Sequence, residues 1–236
     1  MAYFRNEITV DVHDIDFNGV ARASSVMRYI QSAAELQLKS GGMSYDTLKE
    51  QKRAFILSKI KIEICESIHE GDKLTVETFP CESRGFSFLR CYRIMRGDTV
   101  VVRAVSIWAL VDIDSRALVK VESFELGLQT HPPLDLPLPR IKLPDEVIEV
   151  GHYTVNYDDI DKNRHMNNTK YPDMYSNFLE LSGKRIETLS ISYMNEAPPL
   201  DKLTVLRARE GGVYYFKTVR TDGSVNSVAE VTLTDI

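Results

Sequence analysis

Two stretches of this chain place apolar side chains at helical spacing, and each is followed by long β-forming runs. In the first stretch, Met27, Ile30, Ala34 and Leu38 recur every three or four residues, the period of one buried helix face. Gly41 and Gly42 follow, and glycine is typical of the end of a helix. The pattern predicts one amphipathic helix that ends near Gly41.

The second stripe lies in the C-terminal half of the chain. It consists of Tyr171, Met174, Tyr175, Phe178 and Leu179. Asn168 is the predicted N-cap of this helix, and Pro172 falls in the first turn, where proline is tolerated. We interpret both stripes as the core-facing sides of a pair of helices.

The β-forming runs after each helix predict an antiparallel sheet. In the first half they read FILSKIKIEICESI, KLTVETF, FSFLRCYRIM and TVVVRAVSIWALVDI. Gly97-Asp98, Gly211-Gly212 and Asp222-Gly223 are hairpin signals between such runs. One helix against one antiparallel sheet predicts the α+β class.

The chain repeats itself, which predicts two units of the same architecture. The segment VDVHDIDFNGVARASSVMRYIQSAAEL, from Val10, aligns without gaps on VNYDDIDKNRHMNNTKYPDMYSNFLEL, from Val155. The motif DKLTV also occurs twice, at Asp72 and at Asp201. Between the copies, the stretch THPPLDLPLPRIKLP holds five of the nine prolines and should be extended. We therefore predict an N-terminal unit over 1–128, a linker over 129–147 and a C-terminal unit over 148–236.

The segment DIDKNRHMNNTKY carries the candidate chemistry. Its polar residues alternate, with Asp161, Asn163, His165 and Asn167 at every second position. In an extended segment such side chains point the same way, which predicts that they converge on one surface. A loop histidine beside asparagines is also common as a plain hydrogen-bonding group, and this alternative stays open.

The two copies differ at these positions. His165 aligns with Val20, and Glu196 aligns with Ser67, whereas Asp161 has the counterpart Asp16. Only the second copy therefore holds an imidazole together with a candidate carboxylate, which predicts one active site per chain. His165 can transfer protons near neutral pH, Glu196 can activate water, and Asn163 can orient water or substrate. The helix beginning near Thr169 would aim backbone N–H groups at a developing oxyanion.

Composition excludes several other classes. The formal net charge of −5 argues against nucleic acid as a partner, because phosphate binding needs clustered positive charge. No apolar run is long enough for membrane insertion and no signal peptide is recognisable, so we expect a cytoplasmic protein. The three cysteines show no CxxC spacing and are expected to be buried thiols, and the scattered histidines predict no metal site. No cofactor is expected.

The sequence of the DIDKNRHMNNTKY segment resembles that of the acyl-acyl carrier protein (acyl-ACP) thioesterases of plants and bacteria. The similarity lies in the pattern DxNxHxNNxKY, in GDKLTVETF and RAVSIWALVD, and in the segment ending SYMNEA. It extends over nearly the whole chain. The resemblance implies a tandem double hotdog fold, in which each unit wraps an antiparallel sheet around a long central helix.

The resemblance also implies hydrolysis of the thioester between a fatty acyl chain and carrier protein, which releases free fatty acid. It makes Asp161, Asn163, His165 and Glu196 the catalytic set. Ala197 stands where some members carry a cysteine after the glutamate, which favours direct attack by water. The alternatives are an acyl-CoA thioesterase or dehydratase on the same fold, or a non-catalytic acyl-binding module.

Substrate contacts are predicted from both units. Met27, Ile30, Gln31 and Ala34 of the first helix are candidates for the acyl slot, with Asn167 and Asn168 nearer the thioester. The implied partner is acyl carrier protein with its phosphopantetheine arm, and the candidate contacts are Lys170, Lys184, Arg185, Arg207 and Arg209. The sequence leaves open whether the chain forms a homodimer.

Overall fold

The structure, a computed structural model, describes residues 3–236. Its main feature within these residues is a single antiparallel sheet of eleven strands. The strands of the first half are β1 Phe4–Thr9, β2 Arg53–Ile64, β3 Lys73–Pro80, β4 Phe88–Arg96, β5 Thr99–Asp112 and β6 Leu118–Val119. Those of the second half are β7 Ile148–Thr154, β8 Lys184–Tyr193, β9 Lys202–Glu210, β10 Val213–Val219 and β11 Val225–Asp235. The predicted antiparallel sheet is thus confirmed.

The order of the strands shows that the sheet has two related halves. It runs β1-β3-β4-β5-β2-β8-β11-β10-β9-β7, with the short β6 paired to β5. When β7 to β11 are matched with β1 to β5, the second half repeats the first in reverse. The two halves meet where β2 pairs antiparallel with β8, and Lys61 lies opposite Ser190 in that pairing. A pseudo-twofold axis therefore passes between these two strands.

Backbone hydrogen bonds repeat between the halves with the register of the sequence repeat. The Val10 N–H donates to the Asp72 carbonyl at 3.0 Å, and the Val155 N–H donates to the Asp201 carbonyl at the same distance. In a second matched pair, Ala21 donates to Ile68 and Met166 donates to Ala197, both at 2.8 Å. Ser67 precedes the acceptor Ile68, and Glu196 precedes the acceptor Ala197. These two residues therefore occupy equivalent positions in the two halves.

The α-helices of the two halves are unequal in length. They are α1 Ala23–Ser40, α2 Tyr45–Glu50 and α3 Tyr171–Ser176. Helix α1 buries Met27 and Ile30 completely and ends at Gly41, as the apolar stripe predicts. Gly42 then takes a left-handed conformation at φ +81°, which glycine adopts without strain.

The expectation of a long central helix in each unit was wrong for the second half. Helix α3 has only six residues, because the chain turns at Gly183 (φ +68°) and enters β8 at Lys184. Phe178 and Leu179 continue the apolar stripe beyond the helix and still pack against the core. Phe178 lies over Gly151, where an added Cβ would stand only 2.9 Å from the ring. Turns thus replace the second half of the expected helix.

The chain between β6 and β7 contains the proline-rich stretch. Residues 124–147 hold no helix or strand, but the segment is not detached from the sheet. The His131 N–H donates to the Pro80 carbonyl at 2.9 Å. Leu136 packs in a small apolar cluster with Phe79 of β3 and Cys91 of β4. This segment therefore runs along the outer part of the first half.

One core extends across both halves. Its buried members include Ile62 of β2, Leu189 of β8, Tyr175 of α3 and Phe216 of β10, together with the apolar face of α1. Among residues 3–236, no helix is long and apolar enough to cross a bilayer. Cys81 and Cys91 are buried as predicted, but Cys65 is exposed, because it follows the last residue of β2.

Candidate active site

The polar segment of the second half forms a tight turn. Asp161 Oδ1 accepts a hydrogen bond from the Asn163 N–H at 2.8 Å, and the Asp161 N–H donates to the His165 carbonyl at 3.0 Å. Arg164, between them, has a left-handed conformation at φ 67°. The extended conformation predicted for this segment was wrong. The turn still brings the side chains of Asp161, Asn163 and His165 together, because it folds the chain back on itself.

The imidazole of His165 lies between two carboxylates. Its Nδ1 is 3.8 Å from Asp161 Oδ1, and its Nε2 is 3.6 Å from Glu196 Oε1. Both distances exceed those of direct hydrogen bonds, which are about 2.7–3.2 Å for N–H···O. The Glu196 side chain is 49% exposed, against 19% for Asp161. The inner carboxylate is therefore suited to orient the ring, and the outer one to meet a substrate.

Glu196 lies just after the end of β8 on a segment that is fixed at both sides. The N–H groups of Met194 and Asn195 donate to the Asn226 carbonyl, and Asn195 Nδ2 donates to the Val225 carbonyl at 2.7 Å. Ala197 is fully buried, and its carbonyl accepts the Met166 N–H at 2.8 Å. These bonds join the segment to β11 and to the turn that carries His165. Two parts of the chain that are distant in sequence are thereby held together.

Asn163 contacts residues of both halves. Its Nδ2 donates to Asp161 Oδ2 at 3.3 Å, and its Oδ1 accepts a hydrogen bond from the Tyr45 hydroxyl at 2.7 Å. Lys162, its neighbour, places Nζ 3.4 Å from the centre of the Tyr45 ring. Tyr45 belongs to α2 of the first half, and sequence reasoning missed it. The second half has no counterpart of the α2 segment between Leu181 and Lys184. This difference between the two copies was the signal in the sequence that could have pointed to α2.

Asn167 and Asn168 have structural contacts. Asn167 Oδ1 accepts hydrogen bonds from the N–H and the hydroxyl of Thr169, both at 2.9 Å. Asn167, not Asn168, is thus the cap of the short 3-10 helix Asn168–Lys170 that precedes α3. The Asn168 carbonyl accepts the Tyr193 hydroxyl at 3.0 Å.

The expected oxyanion donors at this helix start are largely engaged. The Thr169 N–H is bonded to Asn167 Oδ1, and the Lys170 N–H to the Asn167 carbonyl at 2.9 Å. The helix that follows is too short for a strong dipole, because the macrodipole sums over aligned peptide units. The prediction of a helix start that supplies these donors was therefore wrong for Thr169 and Lys170.

The buried Tyr171 and the partly buried Tyr193 lie next to this region. The rings of Tyr171 and Tyr193 meet edge to face, with centroids 5.0 Å apart. Burial raises the pKa of Tyr171 to about 12 and that of Tyr193 well above its usual value. Both hydroxyls therefore remain protonated near neutral pH and act as hydrogen-bond donors rather than as bases.

The predicted acyl-slot residues lie on α1 in the shared core. Met27 and Ile30 are fully buried and Ala34 is 5% exposed. Met27 Sδ is 3.9 Å from the Tyr193 hydroxyl, which in turn bonds the Asn168 carbonyl. Gln31 Nε2 is buried and has no hydrogen-bond partner among residues 3–236. A buried amide without a partner costs free energy, which is unusual unless a ligand pairs with it.

The equivalent place in the first half lacks the histidine and the glutamate but has a cavity of about 390 Å³. Asp16, Val20 and Ser67 line it from the first half, at the positions that correspond to Asp161, His165 and Glu196. Asn18, the counterpart of Asn163, is tied to the other half. Its Nδ2 donates to the carbonyls of Leu181 and Lys184 at 2.7 and 3.1 Å, and its Oδ1 accepts the Gly183 N–H.

Several of the cations predicted to contact a partner already have intramolecular contacts. Arg207 donates to the Phe178 carbonyl at 2.5 Å, and Arg185 donates to the Ile64 carbonyl at 2.8 Å. Lys170 lies 3.8 Å from the Asp158 carboxylate, and the Arg209 guanidinium stacks 4.8 Å from the Tyr214 ring centre. Within the described part of the chain, no group of three or more His, Cys, Asp or Glu side chains is placed to hold a metal ion.

Two family models match the chain and together cover most of it. Residues 2–124 match the acyl-ACP thioesterase N-terminal domain, and residues 143–235 match the acyl-ACP thioesterase C-terminal domain. A similar relative is the chloroplastic palmitoyl-acyl carrier protein thioesterase of Cuphea hookeriana, at 26% identity over 187 residues. That match covers 71% of this chain and 45% of the relative, so the chain spans about half the length of the curated relatives that it matches first.

Other similarities extend to a shorter enzyme and to solved structures. The acyl-CoA thioesterase YbgC of Haemophilus influenzae is 28% identical over 111 residues, which cover 47% of this chain and 82% of that protein. The structure of the 12:0-ACP thioesterase from Umbellularia californica superposes with a TM-score of 0.85 at 17% identity, over 99% of this chain and 97% of that one. An acyl-ACP thioesterase structure from Bacteroides thetaiotaomicron gives a TM-score of 0.84 at 20% identity, over 98% and 97% of the two chains. These structures share the fold of this chain.

Proposed function

The chain belongs to the acyl-ACP thioesterase family, and from that premise we propose that it hydrolyses the thioester of fatty acyl-ACP. The products are free fatty acid and carrier protein with a free thiol, so the reaction ends chain elongation. The observation that carries this proposal is the position of His165 between Asp161 and Glu196, with Asn163 beside them. These groups are what general acid–base attack of water on an acyl carbon requires.

The proposed architecture is a pair of hotdog units on one continuous sheet, with bounds of 1–128 and 148–236 and a linker between them. The palindromic strand order and the repeated hydrogen bonds support two related units. Within residues 3–236 only the first unit has a long helix, and the second replaces half of it by turns. The catalytic groups belong to the second unit, and α1 of the first unit is assigned to the acyl chain.

The proposed mechanism assigns a separate task to each group. Glu196 takes a proton from water, and the water oxygen attacks the carbonyl carbon of the thioester. Asn163 Nδ2 and His165 donate hydrogen bonds to the oxygen that becomes negative. The intermediate then collapses, the C–S bond breaks, and the leaving sulfur receives the proton held by Glu196. Asp161 orients Asn163 and His165 and does not touch the substrate.

A cysteine nucleophile has no support at this site. Ala197, next to Glu196, has no reactive group, and its side chain is fully buried. The exposed Cys65 corresponds to Met194 in the second unit, and so belongs to the half without the histidine. A single displacement by water, without an acyl-enzyme intermediate, therefore fits the residues present.

The acyl slot is proposed to follow α1 through Met27, Ile30, Gln31 and Ala34. The pseudo-twofold relation supports this assignment, because Gln31 corresponds to Ser176, which lines the cavity of the first unit. Gln31 should accordingly face the loop that carries His165. Its unpartnered Nε2 would then donate to the thioester carbonyl or to the pantetheine amide. Asn167 and Asn168 would border the same entrance.

Carrier protein is the proposed partner, and its phosphopantetheine arm must reach His165. Among the candidate cations Arg209 is exposed and Lys184 is half-buried, whereas Arg185 and Arg207 have backbone acceptors. The carrier protein of this family's pathway is acidic, so the net charge of −5 gives no attraction of the whole molecule to it. A local cationic surface would have to supply the contact.

A direct test compares acyl-ACP with acyl-CoA. The purified protein is incubated with each thioester at matched acyl length while free thiol is followed. We expect thiol from acyl-ACP at a kcat/KM well above that from acyl-CoA. Release from acyl-CoA alone would favour the second candidate, an acyl-CoA thioesterase, which the similarity to the H. influenzae enzyme supports. Release from neither would favour dehydration or binding without catalysis.

A further inference from the structure

Helix α2 distinguishes the first unit from the second. After α1 the chain passes Gly41 and Gly42, forms α2 with Ser44 as its N-cap, and enters β2 at Arg53. The Ser44 hydroxyl accepts the Thr47 N–H at 3.1 Å. In the second unit, the chain passes from α3 to β8 through residues 177–183, which form turns and no helix. The active site of the second unit is thus faced by an element that the inactive site lacks.

The first residue of α2 contacts the catalytic turn from the other unit. The Tyr45 hydroxyl is 2.7 Å from Asn163 Oδ1. Lys162, one residue earlier in the turn, places its ammonium 3.4 Å from the centre of the same ring, a cation–π distance. Tyr45 thus meets the turn at two consecutive residues, through its hydroxyl and through its ring face.

The chemistry of the partners fixes the orientation of the Asn163 amide. An ionised carboxylate only accepts hydrogen bonds, so the side that faces Asp161 must be Nδ2, which lies 3.3 Å from Asp161 Oδ2. Oδ1 then faces Tyr45, and the phenol must donate to it. One N–H of the amide remains for a substrate. Donation to Oδ1 also polarises the amide and strengthens that remaining donor.

The inactive site shows the opposite arrangement for the equivalent residue. Both N–H groups of the Asn18 amide have acceptors, since Nδ2 donates to the Leu181 and Lys184 carbonyls. Asn18 therefore has no donor left for a ligand. In each unit the asparagine is held by the opposite unit, but only the contact through Tyr45 leaves a donor available.

We propose that Tyr45 is a positioning residue for Asn163, and that the first unit thereby completes the active site of the second. This inference rests on the proposed hydrolysis for its catalytic consequence. Tyr45 itself does not touch the reacting atoms. It prevents rotation of the Asn163 amide and holds its free N–H toward the thioester oxygen.

The test is Tyr45→Phe, which keeps the ring and the contact with Lys162 but removes the donor. We expect kcat for acyl-ACP to fall about 10- to 100-fold, because misplacement of a catalytic group by about 1 Å has costs of this order. KM should change less than about threefold, since the phenol does not hold the substrate. Tyr92→Phe is the matched control, because it removes a hydroxyl that bonds Ser106 in the core of the same unit.

A double-variant cycle separates positioning from a structural role. In an Asn163→Ala background, Tyr45→Phe should cause no further loss of kcat, because the group that it positions is gone. A thermal unfolding curve of Tyr45→Phe should match that of the wild type within a few degrees. An unchanged kcat in Tyr45→Phe, or an equal loss in the Asn163→Ala background, would overturn the proposal.

A measurement without turnover keeps this proposal separate from the proposed hydrolysis. In protein labelled with ¹⁵N, the side-chain amide resonances of Asn163 are assigned by their loss in Asn163→Ala. Tyr45→Phe should shift this pair of resonances, whereas Tyr92→Phe should leave it unchanged. A shift in a protein that hydrolyses no thioester would support the positioning role and reject only the function. Unshifted resonances would reject the positioning role, whatever the activity.

Discussion

The ion-pair geometry joins three of the proposed catalytic side chains, Asp161, His165 and Glu196, and Glu196 is the most exposed of these three. Its Oε1 stands 3.6 Å from His165 Nε2. If it is the base that activates water, Glu196→Gln should lower kcat by about 10²- to 10⁴-fold, the usual effect of removing a positioned base. The amide has nearly the same shape, so KM should change little. The rate of thiol release from acyl-ACP measures both values.

A matched control for this change is Glu210→Gln, which removes the same charge from the exposed end of β9. It should retain turnover within about a factor of two, because surface substitutions away from special features have small effects. Turnover near the wild-type level in Glu196→Gln would remove this residue from the mechanism and leave His165 as the candidate base.

Ala34 provides a separate residue-level test, of the acyl slot. Ala34→Leu should lower kcat/KM for the longest acyl chains and shift the product profile toward shorter fatty acids. Each methylene that loses its buried place costs about 0.8 kcal/mol, or roughly fourfold in kcat/KM. Glu35→Leu, on the exposed side of α1, is the control. A product profile that is the same in both variants would place the slot elsewhere.

At the scale of elements, the turn after α3 has a second role beyond ending a helix. It supplies the acceptors and the donor that hold Asn18, at Leu181, Gly183 and Lys184. A long helix in the second unit would remove this turn. The short helix α3 and the contact of Asn18 with this turn thus have one cause, which is that β8 begins soon after α3.

Asn18→Ala should therefore destabilise the protein without a direct effect on catalysis. It leaves the Gly183 N–H without its acceptor and removes one hydrogen bond from each of the Leu181 and Lys184 carbonyls, of which Leu181 keeps the Lys184 N–H at 3.0 Å. Unsatisfied groups of this kind cost about 1–3 kcal/mol each when buried. Because this site is only part-buried, we expect a total near 2 kcal/mol, measured as a lower urea midpoint. Asn6→Ala on the edge strand β1 is the control. Equal midpoints for the two variants would contradict the role assigned to this contact.

At the scale of the whole molecule, the two units are not independent domains joined by a tether. Strands β2 and β8 pair with each other, and the main core takes buried side chains from both units. Unfolding of one unit would expose the edge of the remaining sheet and part of its core. Cooperative loss of both units is the expected result.

This expectation can be measured because Trp108, in β5, is the single tryptophan and reports on the first unit. Phe216→Ala removes a fully buried ring in the second unit and should cost about 3–5 kcal/mol. The unfolding midpoint by tryptophan fluorescence should fall together with the midpoint by far-ultraviolet circular dichroism. Tryptophan fluorescence that keeps the wild-type midpoint, while circular dichroism shows a second transition, would show that the units unfold separately.

Much of this organisation is predictable from the chain itself because it depends on local periodicity and on self-similarity. The helical stripe from Met27, its end at Gly41, the strand runs and the hairpin at Gly97-Asp98 follow from residue spacing and turn preference. The alignment of His165 with Val20 and of Glu196 with Ser67 already shows that only one copy holds this pair of ionisable side chains, because side-chain identity sets which groups can ionise.

Tertiary structure decided where the helix of the second unit ends, how the polar segment turns, and which distant residues meet. The stripe from Tyr171 to Leu179 has helical spacing, yet the helix ends at Ser176, because packing of Phe178 over Gly151 and the turn at Gly183 compete with helix propensity. The alternation of polar residues predicted convergence, but a turn and a cap at Asn167 produce the observed positions. Tyr45 could not be found from sequence spacing, since its partner Asn163 is 118 residues away and the two residues meet only after the units have joined through the β2–β8 pairing and the shared core.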